Sequence, residues 1–221
     1  MDKVYSILPS LLSANLMTLG EDVRAIQTAG ADFLHLDIMD NHYVPNLTFG
    51  PHICSALHQE FPDLPLDVHL MISPVDDMIP HFAKAGARRI SIHPEATNHL
   101  NRSLQLIKDA GCHAGLVLNP TTALEWLRWC HHQLDFVLLM TVNPGFAGQT
   151  LIKETIPKIA QVRTQYPDLR ICVDGGITLD NIGSVAAAGA TEFVAGSTIF
   201  KSTHYSEIIH NLRQKAIQAN A

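Results

Sequence analysis

Residues 29–40 read Ala29-Gly30-Ala31-Asp32-Phe33-Leu34-His35-Leu36-Asp37-Ile38-Met39-Asp40, and this stretch decides the fold. A helical pattern closes on Ala-Gly, where glycine takes the left-handed conformation that caps a helix. An apolar, strand-like run starts directly behind it. The same phrase returns at Ala85-Gly86-Ala87 and Ala188-Gly189-Ala190, and Ala110-Gly111 closes another helical segment. A repeated helix-to-strand joint is the simplest reading.

Working outward, eight strand candidates alternate with helical patterns: Tyr5–Leu8, Phe33–Ile38, Leu66–Met71, Arg89–His93, Ala114–Leu118, Phe136–Thr141, Arg170–Asp174 and Glu192–Ala195. The intervening helices are expected to run about 10 to 16 residues. Strict alternation of strand and helix means a parallel sheet. Eight units in 221 residues favour a closed (β/α)8 TIM barrel over an open doubly wound sheet. The open sheet would place a glycine-rich turn after its first strand, and Pro9-Ser10-Leu11-Leu12-Ser13 is no such turn. No linker or composition break interrupts the chain, so residues 1–221 are expected to form one barrel domain.

Composition excludes several classes of function. The chain is 47% hydrophobic and 16% charged with net charge −6, and it has no basic run, which argues against nucleic-acid or anionic-membrane partners. No stretch of about 18 apolar residues is present to span a membrane. The start Met1-Asp2-Lys3-Val4-Tyr5 lacks the basic and apolar regions of a signal peptide. Cys54, Cys112, Cys130 and Cys172 are widely spaced without CxxC, as in free thiols of a reducing compartment. A cytoplasmic enzyme is the expectation.

In a barrel, chemistry sits where strands run into helices. Strand side chains alternate faces, so His35, Asp37 and Met39 share a face, as do Asp67, His69 and Met71. Polar groups directed together into a buried space are costly unless something binds them. Two histidines and two aspartates at the ends of three strands suit a divalent cation. His35 and His69 are the expected ligands, while His52, His58, His81, His99, His131, His132, His204 and His210 lie in helical or polar settings and are expected to be solvated. Asp67 reads equally as an orienting partner or a structural group, and His93 as rim structure or substrate contact.

Asp37 and Asp174, placed on opposite sides of the ring, form a candidate base and acid pair for inversion at a carbon beside a carbonyl. A cation on the substrate oxygens would stabilise the enediolate between the two proton transfers. Gly145, Gly148, Gly175, Gly176, Gly196 and Ser197 bring bare backbone N–H groups into the loops after strands six to eight, where a phosphate cradle is expected. Met39, Met71 and Met140 each end a strand, where they fill core or shield the enediolate from water.

These residues lie in PSLLSANL, HLDIMDNHYVPNLTFGP, DVHLM, HPEA, MTVNPGFAGQ, VDGGI and VAGSTIF. Linked in that order, the motifs resemble the ribulose-phosphate 3-epimerase family over nearly the whole chain. The resemblance implies a barrel of the ribulose-phosphate-binding type that interconverts D-ribulose 5-phosphate and D-xylulose 5-phosphate in the pentose phosphate pathway. It implies His35, Asp37, His69 and Asp174 as ligands of one divalent ion per subunit, zinc or iron(II) first, manganese or cobalt next. Asp37 then resembles the proton acceptor and Asp174 the proton donor. Ser10, His69, the loop Gly145-Phe146-Ala147-Gly148, Gly175-Gly176 and Gly196-Ser197 resemble substrate contacts. A homo-oligomer acting on a small sugar phosphate is implied as well.

Ala147 departs from the family's more frequent PGFGGQ, and would strain the loop if the position needs positive φ. An alternative is a 3-epimerase of a six-carbon ketose 6-phosphate such as D-allulose 6-phosphate. A barrel decarboxylase would place lysine two residues after the strand-two aspartate, where this chain has Met39. A non-catalytic phosphate-binding relative would lack a carboxylate or a ligand, and none is lacking.

Overall fold

The computed structural model describes residues 5–219. The N-terminal reading of Met1 to Val4 and the two ends of the expected domain lie outside the described residues. Eight strands form the sheet: β1 (Ser6–Pro9), β2 (Leu34–Met39), β3 (Leu66–Met71), β4 (Ala87–Ile92), β5 (His113–Leu118), β6 (Phe136–Met140), β7 (Arg170–Asp174) and β8 (Glu192–Ala195). Their order is β1-β8-β7-β6-β5-β4-β3-β2, with every ladder parallel. The ring closes between β1 and β2 by a parallel bridge from Ser10 to His35. Asp32 secures the seam: its N–H donates to the Ile7 carbonyl at 3.1 Å, and its carboxylate accepts from the Ile7 N–H at 2.8 Å. The architecture is the expected (β/α)8 barrel.

Around the strands lie α1 (Leu19–Thr28), α2 (Pro51–Glu60), α3 (Ile79–Lys84), α4 (Leu100–Asp109), α5 (Glu125–Cys130), α6 (Ile156–Gln165), α7 (Ile182–Ala187), α8 (Ser197–Phe200) and α9 (Tyr205–Gln218). Three of them, α3, α5 and α7, have only 6 residues each, fewer than the sequence pattern suggests. Part of the expected length is 3-10 turn, at Asp76–Met78 before α3 and His131–Gln133 after α5. Strand β4 also ends earlier than its apolar run, because Pro94 offers no N–H to continue the ladder. Among the described residues, no helix is long and apolar enough to cross a membrane. All four cysteines are free and buried.

The Ala-Gly-Ala joints behave as their sequence requires. After α1 the Ala31 N–H reaches back to the Ile26 carbonyl and the Gly30 N–H to Gln27, a doubly bonded helix end that needs left-handed glycine. Gly30, Gly86 and Gly189 have φ of 83°, 98° and 114°. The packing around them differs. A Cβ on Gly86 would sit 2.3 Å from His58 Cγ, whereas one on Gly30 would meet nothing within 4 Å. Each joint swings the chain directly from the outer helix into the inner strand.

The barrel interior is divided. Leu8, Val117, Phe136, Leu138, Met140, Val142, Cys172 and Val194 make one apolar side. The other side buries His35, Asp37, Asp67, His69, Arg89, Ser91 and His93, mostly from β2, β3 and β4. The main apolar core lies outside the ring, between strands and helices.

Replacing Gly30 by alanine is expected to cost about 1–2 kcal/mol, the left-handed penalty alone, while Gly86→Ala costs more because His58 must also move. Urea unfolding of both variants tests this; equal losses would contradict it.

Candidate active site

At the C-terminal ends of the strands, four side chains meet. His35 and Asp37 come from β2, His69 from β3 and Asp174 from the end of β7. One potential ligand atom from each lies within 4.8 Å of all the others. Asp37 Oδ1 is 3.3 Å from both His35 Nε2 and His69 Nδ1. Asp174 Oδ2 is 3.7 Å from His35 Nε2 and 3.9 Å from His69 Nδ1. Those two ring nitrogens are buried without a hydrogen-bond partner. Unpartnered buried nitrogens beside two carboxylates are an unstable arrangement by themselves, and a cation between them resolves it. The four residues fit a divalent metal ion of nitrogen and oxygen preference.

The carboxylates are not diametrically opposed, as the sequence reading placed them. Closure of β1 onto β2 leaves only β1 and β8 between β2 and β7, and the inner side chains bridge that short arc. Their environments differ. Burial pushes Asp174 up to about 7, and the charge of Asp37 adds to the shift. Burial acts in the same direction on Asp37, but His35 and His69 outweigh it and hold that carboxyl well below the usual range. Ser10 Oγ donates to Asp37 Oδ2 at 2.6 Å, a further preference for the ionised form.

Behind His35 runs a buried ionic chain. His35 Nδ1 donates to Asp67 Oδ2 at 2.6 Å, so Nε2 is the nitrogen that faces the cluster. Arg89 Nε donates to Asp67 Oδ1 at 2.7 Å, and Arg89 Nη1 to Glu192 Oε2 at 2.5 Å. The guanidinium lies between the rings of Phe33 and Phe136, 4.3 Å from each centroid. Asp67 thus orients His35, whose register partner it is, rather than its strand-mate His69. His69 instead has its Nε2 2.8 Å from His93 Nε2.

Arg89, Glu192 and the His69–His93 contact were not in the sequence reading. One signal was present for the first. In Arg88-Arg89-Ile90 at least one arginine must face inward by strand alternation, and an inward arginine calls for carboxylate partners.

A cleft opens above the cluster. Asp37 and Asp174 reach its wall, as do Ser10, Met39, Met71 and Met140. Gly145, Phe146, Ala147, Gly148, Gly175, Gly176, Gly196 and Ser197 complete the sequence-expected set, and all line the cleft. His35 and His69 lie beneath, outside that lining. Gly145, Gly148, Gly175 and Gly176 have positive φ. At Gly176 a Cβ would lie 2.5 Å from the Leu151 backbone nitrogen, so only glycine lets the two loops meet. Among the described residues the one non-glycine at positive φ is Asn41; Ala147 is therefore unstrained, contrary to the concern its sequence raised. The eight helical or polar histidines expected to be solvated are all exposed, and His93, directly after the end of β4, is fully buried.

Fold and site together define a barrel enzyme with a buried two-histidine, two-aspartate cluster able to hold a metal ion. The family profile described as "Ribulose-phosphate 3 epimerase family" matches residues 6–200. Ribulose-phosphate 3-epimerase of Escherichia coli strain K12 is 51% identical over 217 residues, covering 96% of each chain. That of Serratia marcescens is 53% identical over 207 residues, covering 92% of this chain and 99% of its own. The chain belongs to the ribulose-phosphate 3-epimerase family and is an isomerase. Among solved structures, KGPDC from Streptococcus mutans superposes with TM-score 0.78 at 14% identity, covering 98% of this chain and 99% of its own. For 3-hexulose-6-phosphate synthase from Salmonella typhimurium the values are 0.74 and 18%, with coverage of 97% and 99%. These two likenesses concern the fold alone.

Replacing Arg89 by methionine strands Asp67 and Glu192 as buried charges, and a loss of about 3–5 kcal/mol is expected. Denaturant titration measures it; a loss below about 1 kcal/mol would contradict the buried-pair reading.

Proposed function

We propose that this chain interconverts D-ribulose 5-phosphate and D-xylulose 5-phosphate by proton exchange at C3, with Asp37 as acceptor and Asp174 as donor. The observation that carries this reading is the convergence of both carboxylates with His35 and His69 at the floor of a glycine-walled cleft. Epimerisation needs one group to take a proton from C3 and a second to return one on the other face. In the cation-free site Asp37 is held below the usual carboxylate range and Asp174 is pushed up to about 7, so the two carboxyls differ in proton affinity as an acid and base pair does. In the reverse direction the roles exchange.

His35 Nε2, His69 Nδ1 and one oxygen each of Asp37 and Asp174 would hold a divalent ion, one per subunit, zinc or iron(II) first and manganese or cobalt next. When bound, it would polarise the substrate carbonyl and offset negative charge developing at the substrate oxygens. Ser10 orients Asp37 through its hydroxyl. The loop Gly145-Phe146-Ala147-Gly148, with Gly175-Gly176 and Gly196-Ser197, would receive the phosphate on backbone N–H groups. Met39, Met71 and Met140 would keep water from the reacting carbon. His69, seated under the cleft wall, would act through its place beside Asp37.

Proton NMR in heavy water tests the reading directly. Loss of the C3 proton of D-ribulose 5-phosphate with appearance of D-xylulose 5-phosphate is expected. Exchange confined to D-allulose 6-phosphate, run in parallel, would assign the six-carbon specificity instead. Asp37→Asn and Asp174→Asn should each lower turnover by about 10²–10⁴-fold, and wild-type rates in either would overturn its role. Chelator treatment should abolish turnover, and zinc or iron(II) should restore it; full activity in metal-stripped protein would refute the cation's part. Leucine at all three methionines should lower turnover while metal stays bound, and unchanged turnover would remove the shielding role.

A further inference from the structure

His93 leaves the end of β4 with Pro94 behind it, and its ring is completely buried. The ring packs against Tyr43 at a centroid distance of 4.4 Å with a tilt of 35°, and its centroid lies 5.0 Å from that of His69. His69 Nε2 and His93 Nε2 are 2.8 Å apart. Two ring nitrogens at that distance share one proton, which one ring donates and the other accepts.

The remaining nitrogens decide the direction. His69 Nδ1 has no hydrogen-bond partner and faces Asp37 Oδ1 at 3.3 Å and Asp174 Oδ2 at 3.9 Å. A ligand nitrogen offers its lone pair, so the proton of a neutral, metal-binding His69 sits on Nε2. His93 Nε2 must then accept, and its own proton sits on Nδ1. That nitrogen makes no hydrogen bond, and Glu95 Oε2, 3.9 Å away, faces it with a negative charge from beyond hydrogen-bond distance. Glu95 is itself held, accepting from Tyr43 Oη at 3.2 Å and from Thr122 Oγ1 at 2.5 Å. Asn119 Nδ2 donates to the same Tyr43 oxygen at 2.7 Å.

We infer that His93 is the positioning residue of His69, accepting its Nε2 proton and so fixing the tautomer that presents Nδ1 to the cation. Asp67 does the corresponding work for His35 through the opposite ring nitrogen. The two ligand histidines are therefore held by unlike partners, an ionised carboxylate and a neutral imidazole. A neutral acceptor on His69 adds no third negative charge beside Asp37 and Asp174. The inference rests on the reading of His69 as a metal ligand.

Long-range proton–nitrogen NMR of ¹⁵N-labelled, zinc-loaded wild-type protein tests it without any substitution. The expected spectrum has His69 protonated on Nε2 with Nδ1 shifted by zinc, and His93 protonated on Nδ1. Zinc bound through His69 with His93 protonated on Nε2 would overturn the inference and leave the metal reading intact. Zinc that perturbs neither His35 nor His69 would overturn both. Two variants add a functional readout by chelator competition for zinc. His93→Leu should weaken zinc binding by about 10–100-fold and lower kcat, with KM at saturating zinc little changed. His93→Gln, whose amide oxygen can accept, should recover most of the affinity. Equal weakening in both would reduce His93 to packing, and no weakening in His93→Leu would remove it from the site.

Discussion

Placing two carboxylates and two imidazoles side by side inside a barrel is expensive, and much of the inner structure answers that cost. Charges taken from water must be paired and hydrogen-bonded or they neutralise. Here the compensation runs along one side of the ring. Glu192 meets Arg89, Arg89 grips Asp67, Asp67 takes the Nδ1 proton of His35, and His35 presents Nε2 to Asp37 and Asp174. Phe33 and Phe136 close over the guanidinium, where cation–π attraction offsets some of its desolvation. The chain therefore links the floor of the barrel to the cluster at its mouth.

The opposite, apolar side of the interior has a complementary part. Leu138, Met140, Val142 and Val194 crowd the ring with hydrocarbon, which limits solvent near the cluster and strengthens each electrostatic contact within it. The loops after β6 and β7 then supply backbone N–H groups at positive-φ glycines, and Gly196 after β8 leads into α8. In the proposed reaction, acid–base chemistry and phosphate recognition would thus be divided between side chains of β2, β3 and β7 and the backbone of the loops after β6, β7 and β8.

Much of this was legible in the sequence because two periodicities are local. Alternation along Phe33–Met39 set His35 and Asp37 on one face, and the Ala-Gly-Ala phrase marked where helices hand over to strands. The cleft-lining glycines were placed for a related reason: Gly145, Gly148, Gly175, Gly176 and Gly196 lie in the loops that follow the apolar runs of β6, β7 and β8. What was not legible depends on distances between strands. The contact of His69 with His93, and of Arg89 with Glu192 103 residues away, is fixed by ring closure and stagger. The same closure brings Asp174 nearer to Asp37 than a diametric picture allows. Helix lengths were overread at α3 and α5, where 3-10 turns take up part of the expected span, and at α7, which ends after 6 residues at Ala187.

The central claim is that His35, Asp37, His69 and Asp174 together hold the metal ion at which the two carboxylates exchange protons. X-ray absorption spectroscopy of the zinc-loaded protein tests it most directly. The account predicts nitrogen and oxygen neighbours only, at about 2.0–2.2 Å, with the multiple-scattering signature of two imidazoles. A sulfur neighbour near about 2.3 Å, or a shell with fewer than two imidazoles, would contradict it.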